Sequence, residues 1–86
     1  MLFSVLVETR LRPGIADPQG ATIERSLPAL GFDGIEGVRV GKAIRFELDA
    51  ADEAAALALA ESVTDRFLIN PVIEAATVSL TVAEPA

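Results

Sequence analysis

The stretch Val38–Leu48, which reads VRVGKAIRFEL, decides the fold that the sequence predicts. Apolar and polar residues alternate on both sides of Gly41-Lys42, as they do along strands that bury one face. A glycine between two such runs is typical of a turn. The stretch therefore predicts two short strands joined in a β-hairpin.

The length of the loop decides which side chains of the predicted hairpin share a face. A three-residue loop, Gly41-Lys42-Ala43, keeps the apolar residues of both strands together, whereas a two-residue loop puts them on opposite faces. The longer loop is therefore favoured. The cross-strand pairs that it predicts are Val40 with Ile44, Val38 with Phe46, and Arg39 with Arg45.

Before the hairpin, the alternation over Leu2–Leu11 predicts a first strand. Asp17 followed by Pro18 is typical of a helix cap and the first helical residue. The predicted helix has an apolar stripe of Ile23, Leu27 and Leu30, and Gly31 is expected to end it in a left-handed conformation.

After the hairpin, Asp49 is expected to cap a second helix over Ala50–Leu68, a run rich in strong helix formers. Asn70-Pro71 stops this helix, since the residue before proline avoids helical angles. A last strand is expected at about Ile73–Val82. The predicted buried stripe of the second helix is Ala56, Leu59, Ala60, Val63 and Phe67.

The element order β-α-β-β-α-β predicts an α+β, ferredoxin-like domain. Its four-stranded antiparallel sheet would carry two helices on one face, and residues 1–86 would form one domain with 83–86 as a loose tail. The other sheet face is expected to stay open. The residues predicted on that open face are Ser4, Leu6, Glu8, Arg45, Glu47, Thr77, Ser79 and Thr81.

Composition excludes several classes of function. The chain has no Cys and no His, so thiolate chemistry and the commonest metal ligands are absent, and no catalytic, cofactor-binding or metal-binding residue is predicted. The formal net charge of −6 disfavours nucleic acid. No signal peptide and no apolar run long enough to span a membrane is visible, so a soluble, cytoplasmic protein is expected.

Three motifs exceed the needs of a plain fold. In Asp17-Pro18-Gln19-Gly20, a helix start explains the first two residues but not a glycine in the first turn, which close approach of another backbone would explain. Gly41-Lys42 is a hairpin tip, yet Arg39 and Arg45 make it a basic spot in an acidic chain. Asn70-Pro71-Val72-Ile73-Glu74 ends a helix, but nothing local requires both Asn and Glu.

Taken together, these motifs resemble the PurS family, the small subunit of phosphoribosylformylglycinamidine synthase. The resemblance runs from Val5 to about Val82 and includes Arg12-Pro13-Gly14, Leu30-Gly31 and the run from Leu68 to Glu74. The sequence departs from the family at Phe67-Leu68-Ile69, where Leu-Leu-Ala is expected before Asn-Pro, and at Ala75-Ala76, where the family often has an aromatic residue.

The resemblance implies a non-catalytic subunit of purine biosynthesis. It would form a dimer or a dimer of dimers, bridge the glutaminase PurQ and the synthetase PurL, and assist ammonia transfer. The assembled ligase uses ATP and Mg, whereas this chain would bind no cofactor. The motif positions expected at partner interfaces are Arg12, Asp17, Gln19, Gly20, Arg39, Gly41, Lys42, Asn70, Pro71 and Glu74.

Other functions on the same fold fit the sequence less well. An ACT-like regulatory module that binds small molecules is the leading alternative, because Gly14 and Gly20 suit a ligand site near the first helix. An acylphosphatase-like enzyme needs an asparagine on a later strand, but the only asparagine is Asn70, after the second helix. An RNA-recognition domain needs stacking aromatic residues that the open face lacks.

Overall fold

The first strand forms the centre of the sheet. In the computed structural model, which describes residues 1–83, strand β1 spans Leu2–Leu11 as predicted. Its side chains alternate strictly, so that Phe3, Val5 and Val7 are buried while their neighbours face outward. A strand paired on both sides with one buried face is the pattern that this period-2 sequence requires.

Two further strands flank β1, in the order β2-β1-β3. Strand β2 spans Ala43–Asp49 and strand β3 spans Glu74–Val82, and both run antiparallel to β1. Val7 lies opposite Ile44 on one side and Val78 on the other, so the apolar residues of all three strands share one face. The predicted open face is confirmed, because its residues occupy the opposite pleat.

The sheet differs from the prediction at the hairpin, which does not form. Residues 38–40 lie in no strand, and the chain continues past Gly41 along β1 instead of turning back. The backbone of Lys42 bonds to Thr9 in both directions: its N–H donates to Thr9 Oγ1 (3.0 Å) and its carbonyl accepts from Thr9 N–H (2.8 Å). The described sheet therefore has three strands, not four.

The predicted pairs of the hairpin are replaced by pairs with β1. Ile44 lies opposite Val7, Phe46 opposite Val5 and Arg45 opposite Leu6, and Arg39 is not across from Arg45. The physical reason is that Glu24 and Asp17 accept the N–H groups of Val38 and Val40, so these residues do not reach the free edge of β2. The same apolar side chains reach the core by either pairing.

Helix α2 covers the apolar face of the sheet. It spans Glu53–Val63 and continues as one π-helical turn over Thr64–Leu68. Its cap is Asp52, whose carboxylate accepts the Ala55 N–H (2.8 Å), and not Asp49 as predicted, because Asp49 is the last residue of β2. The helix therefore begins three residues later than expected.

The predicted buried stripe of α2 is correct in part. Ala56 and Ala60 are fully buried and Val63 is half-buried, but Leu59 is 47% exposed and Phe67 is 84% exposed. A single helix over a three-stranded sheet buries only a narrow face. The π turn adds a residue to the last turn and carries Phe67 off the line of the buried residues.

Helix α1 is formed as predicted but lies elsewhere. It spans Pro18–Ser26, Asp17 caps it, and after one 3₁₀ turn at Pro28–Leu30 Gly31 adopts a left-handed φ of 90°. The predicted place on the sheet beside α2 is wrong: the core of the described residues comes from the strands and α2, while Ile23 and Leu30 are exposed. Only one helix covers the sheet.

The displaced helix makes the molecule elongated. The radius of gyration is 16.8 Å over extents of 51 × 32 × 15 Å, whereas a compact chain of this length has about 12 Å. Ala83, predicted in the loose tail, donates its N–H to the Leu2 carbonyl (2.9 Å), and residues 84–86 lie outside the described part. No helix within residues 1–83 has the length and apolar character needed to cross a membrane.

Candidate functional site

The three sequence motifs meet at one end of the sheet. We call this the motif end, where Leu11 of β1 lies opposite Glu74 of β3. Residues from all three motifs line an open cavity of about 270 Å³ there. The lining consists of Thr9, Arg10, Leu11, Asp17, Pro18, Gln19, Val40, Gly41, Lys42 and Glu74.

Asp17 fastens residues 38–40 to helix α1. Its Oδ1 accepts the Gly20 N–H (2.9 Å), which caps the helix, and its Oδ2 accepts the Val40 N–H (2.8 Å). The Arg39 guanidinium adds an ion pair at 3.9 Å, and the Asp17 side chain is only 6% exposed. Asp17 was predicted as a helix cap, and the structure adds its second role as a clasp between two segments.

These contacts decide what the Asp17 carboxyl can do chemically. The N–H groups of Gly20 and Val40, with a contribution from the Arg39 guanidinium, hold its pKa below the ordinary range, although burial opposes them. A carboxylate whose ionised form is stabilised in this way is a poor proton acceptor near neutral pH. Asp17 is therefore suited to holding the fold and not to acid–base catalysis.

Two glycines of the motifs allow backbones to approach closely. A Cβ at Gly20 would overlap the carbonyl oxygen of Val38, and a Cβ at Gly41 would overlap that of Thr9. The expectation that close backbone approach explains Gly20 is confirmed. Gly41 is the same case in an extended segment and not a turn residue, since its φ is not positive.

The Asn70–Glu74 motif closes on itself. Glu74 Oε1 accepts the Asn70 N–H (2.9 Å), Asn70 Oδ1 accepts the Val72 N–H (3.1 Å), and the Asn70 carbonyl accepts the Glu74 N–H (2.8 Å). The loop uses both polar side chains, which explains why the motif contains both Asn70 and Glu74. Asn70 does not cap the helix, because the bond that ends it joins Ile69 N–H to the Thr64 carbonyl (3.1 Å).

Two basic residues tie that loop to the rest of the motif end. Arg12 Nε donates to the Pro71 carbonyl (2.9 Å), and Lys42 Nζ lies 3.9 Å from Glu74 Oε2. The Lys42 side chain is 60% exposed, so the ion pair is weak in water and leaves the ammonium accessible. Gln19 is exposed on the rim of the cavity.

Sequence reasoning missed two residues that hold this region. Thr9 is buried, and its Oγ1 accepts the Lys42 N–H (3.0 Å). Glu24 on α1 accepts the Val38 N–H at its Oε1 (2.9 Å). A signal for Thr9 was available. Thr9 follows Phe3, Val5 and Val7 on the inward face of β1 but is polar, and a buried hydroxyl requires a hydrogen-bond partner.

The site offers few ligands for a metal. Across residues 1–83, no group of three or more Asp or Glu side chains is placed to hold a metal ion. The carboxylates of Asp17 and Glu74 are occupied by backbone N–H groups and by one cation each. The arrangement is a junction of backbone segments with two exposed cations, Arg39 and Lys42, at its surface.

The comparisons with known proteins identify the family. A family model described as PurS, phosphoribosylformylglycinamidine (FGAM) synthase, matches residues 4–82. The chain belongs to the PurS family. The resemblance predicted from the motifs is confirmed, and the match extends over the same part of the chain.

Individual PurS proteins agree in sequence and in fold. The PurS subunit of phosphoribosylformylglycinamidine synthase from Synechocystis is 41% identical over 76 residues, covering 88% of this chain and 76% of the relative. The crystal structure of the PurS subunit from Thermotoga maritima superposes with a TM-score of 0.86 at 30% identity, covering 94% and 93%. A chain in the structure of PurLQS from the same organism gives the same TM-score and identity, covering 94% and 99%.

The clasp at Asp17 predicts a pH dependence of stability. Because the pKa of Asp17 is lower in the folded chain, its contribution is present above about pH 4, the pKa of the unfolded chain, and is lost as the pH falls through the folded value. The variant Asp17→Asn is expected to be less stable at pH 7 and to lose less stability on acidification. Urea midpoints at pH 7 and pH 3 measure this.

The matched control is Glu47→Gln, which removes an exposed carboxylate from the open face of the sheet. Its midpoints are expected to follow those of the unmodified chain at both pH values. An Asp17→Asn variant with the same acid-induced loss as the unmodified chain would contradict the proposed clasp.

Proposed function

We propose that this chain is the non-catalytic small subunit of a phosphoribosylformylglycinamidine synthase and bridges the glutaminase PurQ and the synthetase PurL. The observation that carries the proposal is that side chains of the family motifs hold the motif end together. Asp17, Asn70 and Glu74 are committed to backbone N–H groups of the chain itself, so the motif end is built as a rigid surface. The fold shared with the PurLQS structure from Thermotoga maritima supports the bridging role.

The chemistry of the assembly explains why such a subunit exists. The glutaminase releases ammonia from glutamine, and the synthetase uses it with ATP and formylglycinamide ribonucleotide to form formylglycinamidine ribonucleotide. Ammonia that escapes between the two sites is protonated in water and lost. A subunit that fixes the relative position of both sites assists the transfer without doing chemistry. We place the ATP, the nucleotide and the Mg on the assembled cytoplasmic complex and no cofactor on this chain.

The ten motif residues divide into two groups in this proposal. Six hold the shape of the motif end: Arg12, Asp17, Gly20, Gly41, Asn70 and Glu74. The other four present their side chains to the outside: Gln19, Arg39, Lys42 and Pro71. We assign the partner contact to this second group, which we call the basic rim. Its two cations suit an acidic surface on PurQ or PurL.

We also propose that the chain works as a homo-oligomer, a dimer or a dimer of dimers. The outer strands β2 and β3 have backbone edges that a second copy can pair with. The three-stranded sheet is then a ferredoxin-like arrangement without its fourth strand, because residues 38–40 bond to Asp17 and Glu24 and not to the edge of β2. Residues 1–86 act as one domain.

Reconstitution tests the bridging role. Purified PurL-like and PurQ-like subunits from the same source are assayed with ATP, formylglycinamide ribonucleotide and glutamine, with and without this chain. We expect glutamine-dependent turnover to fall at least tenfold without the chain, while turnover with added ammonia changes less than twofold, because only the transfer is lost.

Equal glutamine-dependent turnover with and without the chain would contradict the proposal. The ACT-like regulatory module would then be the reading to test, by screening small ligands for a shift in the thermal midpoint. The family match does not favour that reading.

A further inference from the structure

The loop after the 3₁₀ turn contains an aspartate directly followed by a glycine, Asp33-Gly34. Residues 31–37 lie in no helix or strand, and all of them are exposed. Within residues 1–83, the Asp33 carboxylate forms no ion pair and the Gly34 N–H forms no hydrogen bond. A carboxyl group and the next backbone nitrogen are therefore both free in a solvated loop.

The glycine leaves that nitrogen open to reaction. Gly34 has no Cβ to shield its own N–H, and the space around the missing Cβ is empty. Its φ of 79° is one that glycine adopts without strain. A loop backbone that no hydrogen bond holds changes its dihedral angles at little cost in free energy. The Gly34 nitrogen is therefore free to approach Cγ of Asp33.

We propose that Asp33-Gly34 is a site of spontaneous covalent modification, at which the aspartyl linkage isomerises to an isoaspartyl linkage. The Gly34 nitrogen attacks Cγ of the protonated Asp33 carboxyl. The N–Cγ bond forms, the nitrogen loses its proton and the carboxyl hydroxyl leaves as water, which gives a cyclic succinimide. Water then opens the ring. Breaking the N–Cγ bond restores aspartate, whereas breaking the bond from the nitrogen to the original backbone carbonyl carbon leaves the chain running through the side chain.

Proline closes two of the other candidate positions. Pro18 follows Asp17, and Pro71 follows Asn70, the only asparagine. Proline has no backbone N–H, so its nitrogen has no proton to lose and a neutral succinimide does not form. The aspartate and the asparagine of the motif end are therefore protected from this reaction by the residue that follows each of them.

Secondary structure protects the remaining three aspartates. Asp49 ends β2, and the N–H after it donates to the Met1 carbonyl (2.9 Å). Asp52 caps α2 with its carboxylate, and Asp65 lies within the π-helical turn. Ring closure requires both a free carboxyl and a backbone that is free to rotate. Of the five aspartates of the chain, Asp33 alone has both together with a glycine after it.

The isomer changes the segment that joins α1 to the clasp. Its backbone is one carbon longer, and its free carboxylate is attached at the α-carbon. The product is chemically distinct from every other residue of the chain. It is a substrate for the class of methyltransferase that esterifies isoaspartyl carboxylates with S-adenosylmethionine, and such an enzyme serves as the probe.

Peptide mapping of the full chain tests the inference. Trypsin cuts after Arg25 and Arg39, so the peptide 26–39 contains Asp33 as its single aspartate. The chain is kept for several weeks in mildly acidic buffer in which circular dichroism shows it to be folded, and is then digested. We expect this peptide to separate into two chromatographic peaks of equal mass, of which the methyltransferase labels one. The peptide 46–66, which carries three other aspartates, is expected to contain at least tenfold less isoaspartate.

Two references test the cause of the reaction. The synthetic peptide 26–39 gives the rate without the fold, and we expect the full chain to isomerise within about tenfold of that rate. The variant Asp33→Glu keeps the charge but requires a larger ring, so its peptide is expected to give one unlabelled peak. A full chain that reacts more than tenfold slower than the synthetic peptide, or equal labelling of the two tryptic peptides, would overturn the inference. The bridging role is decided separately by glutamine-dependent turnover, because the modification requires no partner subunit.

Discussion

Replacing Gly41 by Val is expected to lower the free energy of unfolding by about 3 kcal/mol or more, because it adds overpacking to the loss of several hydrogen bonds. A Cβ at Gly41 overlaps the Thr9 carbonyl oxygen, and that oxygen belongs to the central strand. Thr9 cannot move aside, since β3 holds it from the other side through its pairing with Ala76.

The segment that carries Gly41 must move instead. It then loses the two bonds between Lys42 and Thr9, at 2.8 and 3.0 Å, and strains the bond from Val40 N–H to Asp17. Urea denaturation measures the loss of stability. Hydrogen exchange is expected to show faster exchange of the Val40 and Lys42 amides in the variant, while amides in the core of the sheet keep their order of protection.

The control for this variant separates the cost of steric overlap from the cost of an unfavourable backbone conformation. Gly14 has a φ of 86° and open space around its missing Cβ. Gly14→Ala is therefore expected to cost about 1 kcal/mol through its left-handed conformation alone. Gly41 has no such conformation, so its cost comes from the collision. A Gly41→Val variant as stable as Gly14→Ala would contradict the close approach of the two backbones.

The same glycine shows why the predicted hairpin failed. The alternation around Gly41 places the same side chains on one face whether the chain turns at a three-residue loop or runs straight on. A glycine in a strand signals close approach as well as a turn, and the sequence alone does not separate the two. The deciding partners are Glu24 and Asp17, which accept the N–H groups of Val38 and Val40 and so hold these residues away from the free edge of β2.

Elements fixed by local chemistry were predicted well. β1 was predicted at its observed bounds because Phe3, Val5 and Val7 recur at every second position, and the Asp17 cap followed from Asp-Pro at a helix start. The burial of α2 was predicted less well. Ala56 and Ala60 face the sheet, but Leu59 and Phe67 do not. Their exposure depends on the width of the sheet and on the π turn at Thr64, which the periodicity of the sequence does not show.

For the candidate site, the motifs that the sequence singled out lie at one end of the sheet, and the partner contacts expected of their residues stay a prediction. Asn70 and Glu74 were selected because no local need explained them, and the structure shows that they bond within one loop. A hydrogen bond between a side chain and a backbone N–H a few residues away leaves no trace in hydrophobic periodicity. In this chain, two residues that periodicity does not explain hold a loop together.

Removing both cations of the basic rim is expected to weaken binding to the partner subunits while the chain stays folded. The double variant Arg39→Ala, Lys42→Ala is reconstituted with PurL-like and PurQ-like subunits. The concentration of the chain that gives half-maximal glutamine-dependent turnover should rise roughly tenfold or more, because two cations facing an acidic surface are lost. Turnover at saturating chain should recover. Lys42→Ala should change stability by less than about 1 kcal/mol, since its side chain is 60% exposed in an ion pair at 3.9 Å. Arg39→Ala also removes the bond from Arg39 Nη2 to the Ile15 carbonyl (3.2 Å), so it should cost about 1 kcal/mol more.

The matched control removes two cations of similar exposure elsewhere. Arg25 lies near the end of α1 and Arg45 on the open face of the sheet, so Arg25→Ala, Arg45→Ala makes the same change in net charge away from the motif end. This control is expected to shift the half-maximal concentration less than about threefold at 0.15 M salt, where charges farther apart than about 8 Å are screened. If the control shifts as much as the rim variant, the net charge of the chain governs assembly and the rim is not the contact. If only the rim variant shifts, and added salt reduces its difference from the unmodified chain, the contact is local and electrostatic.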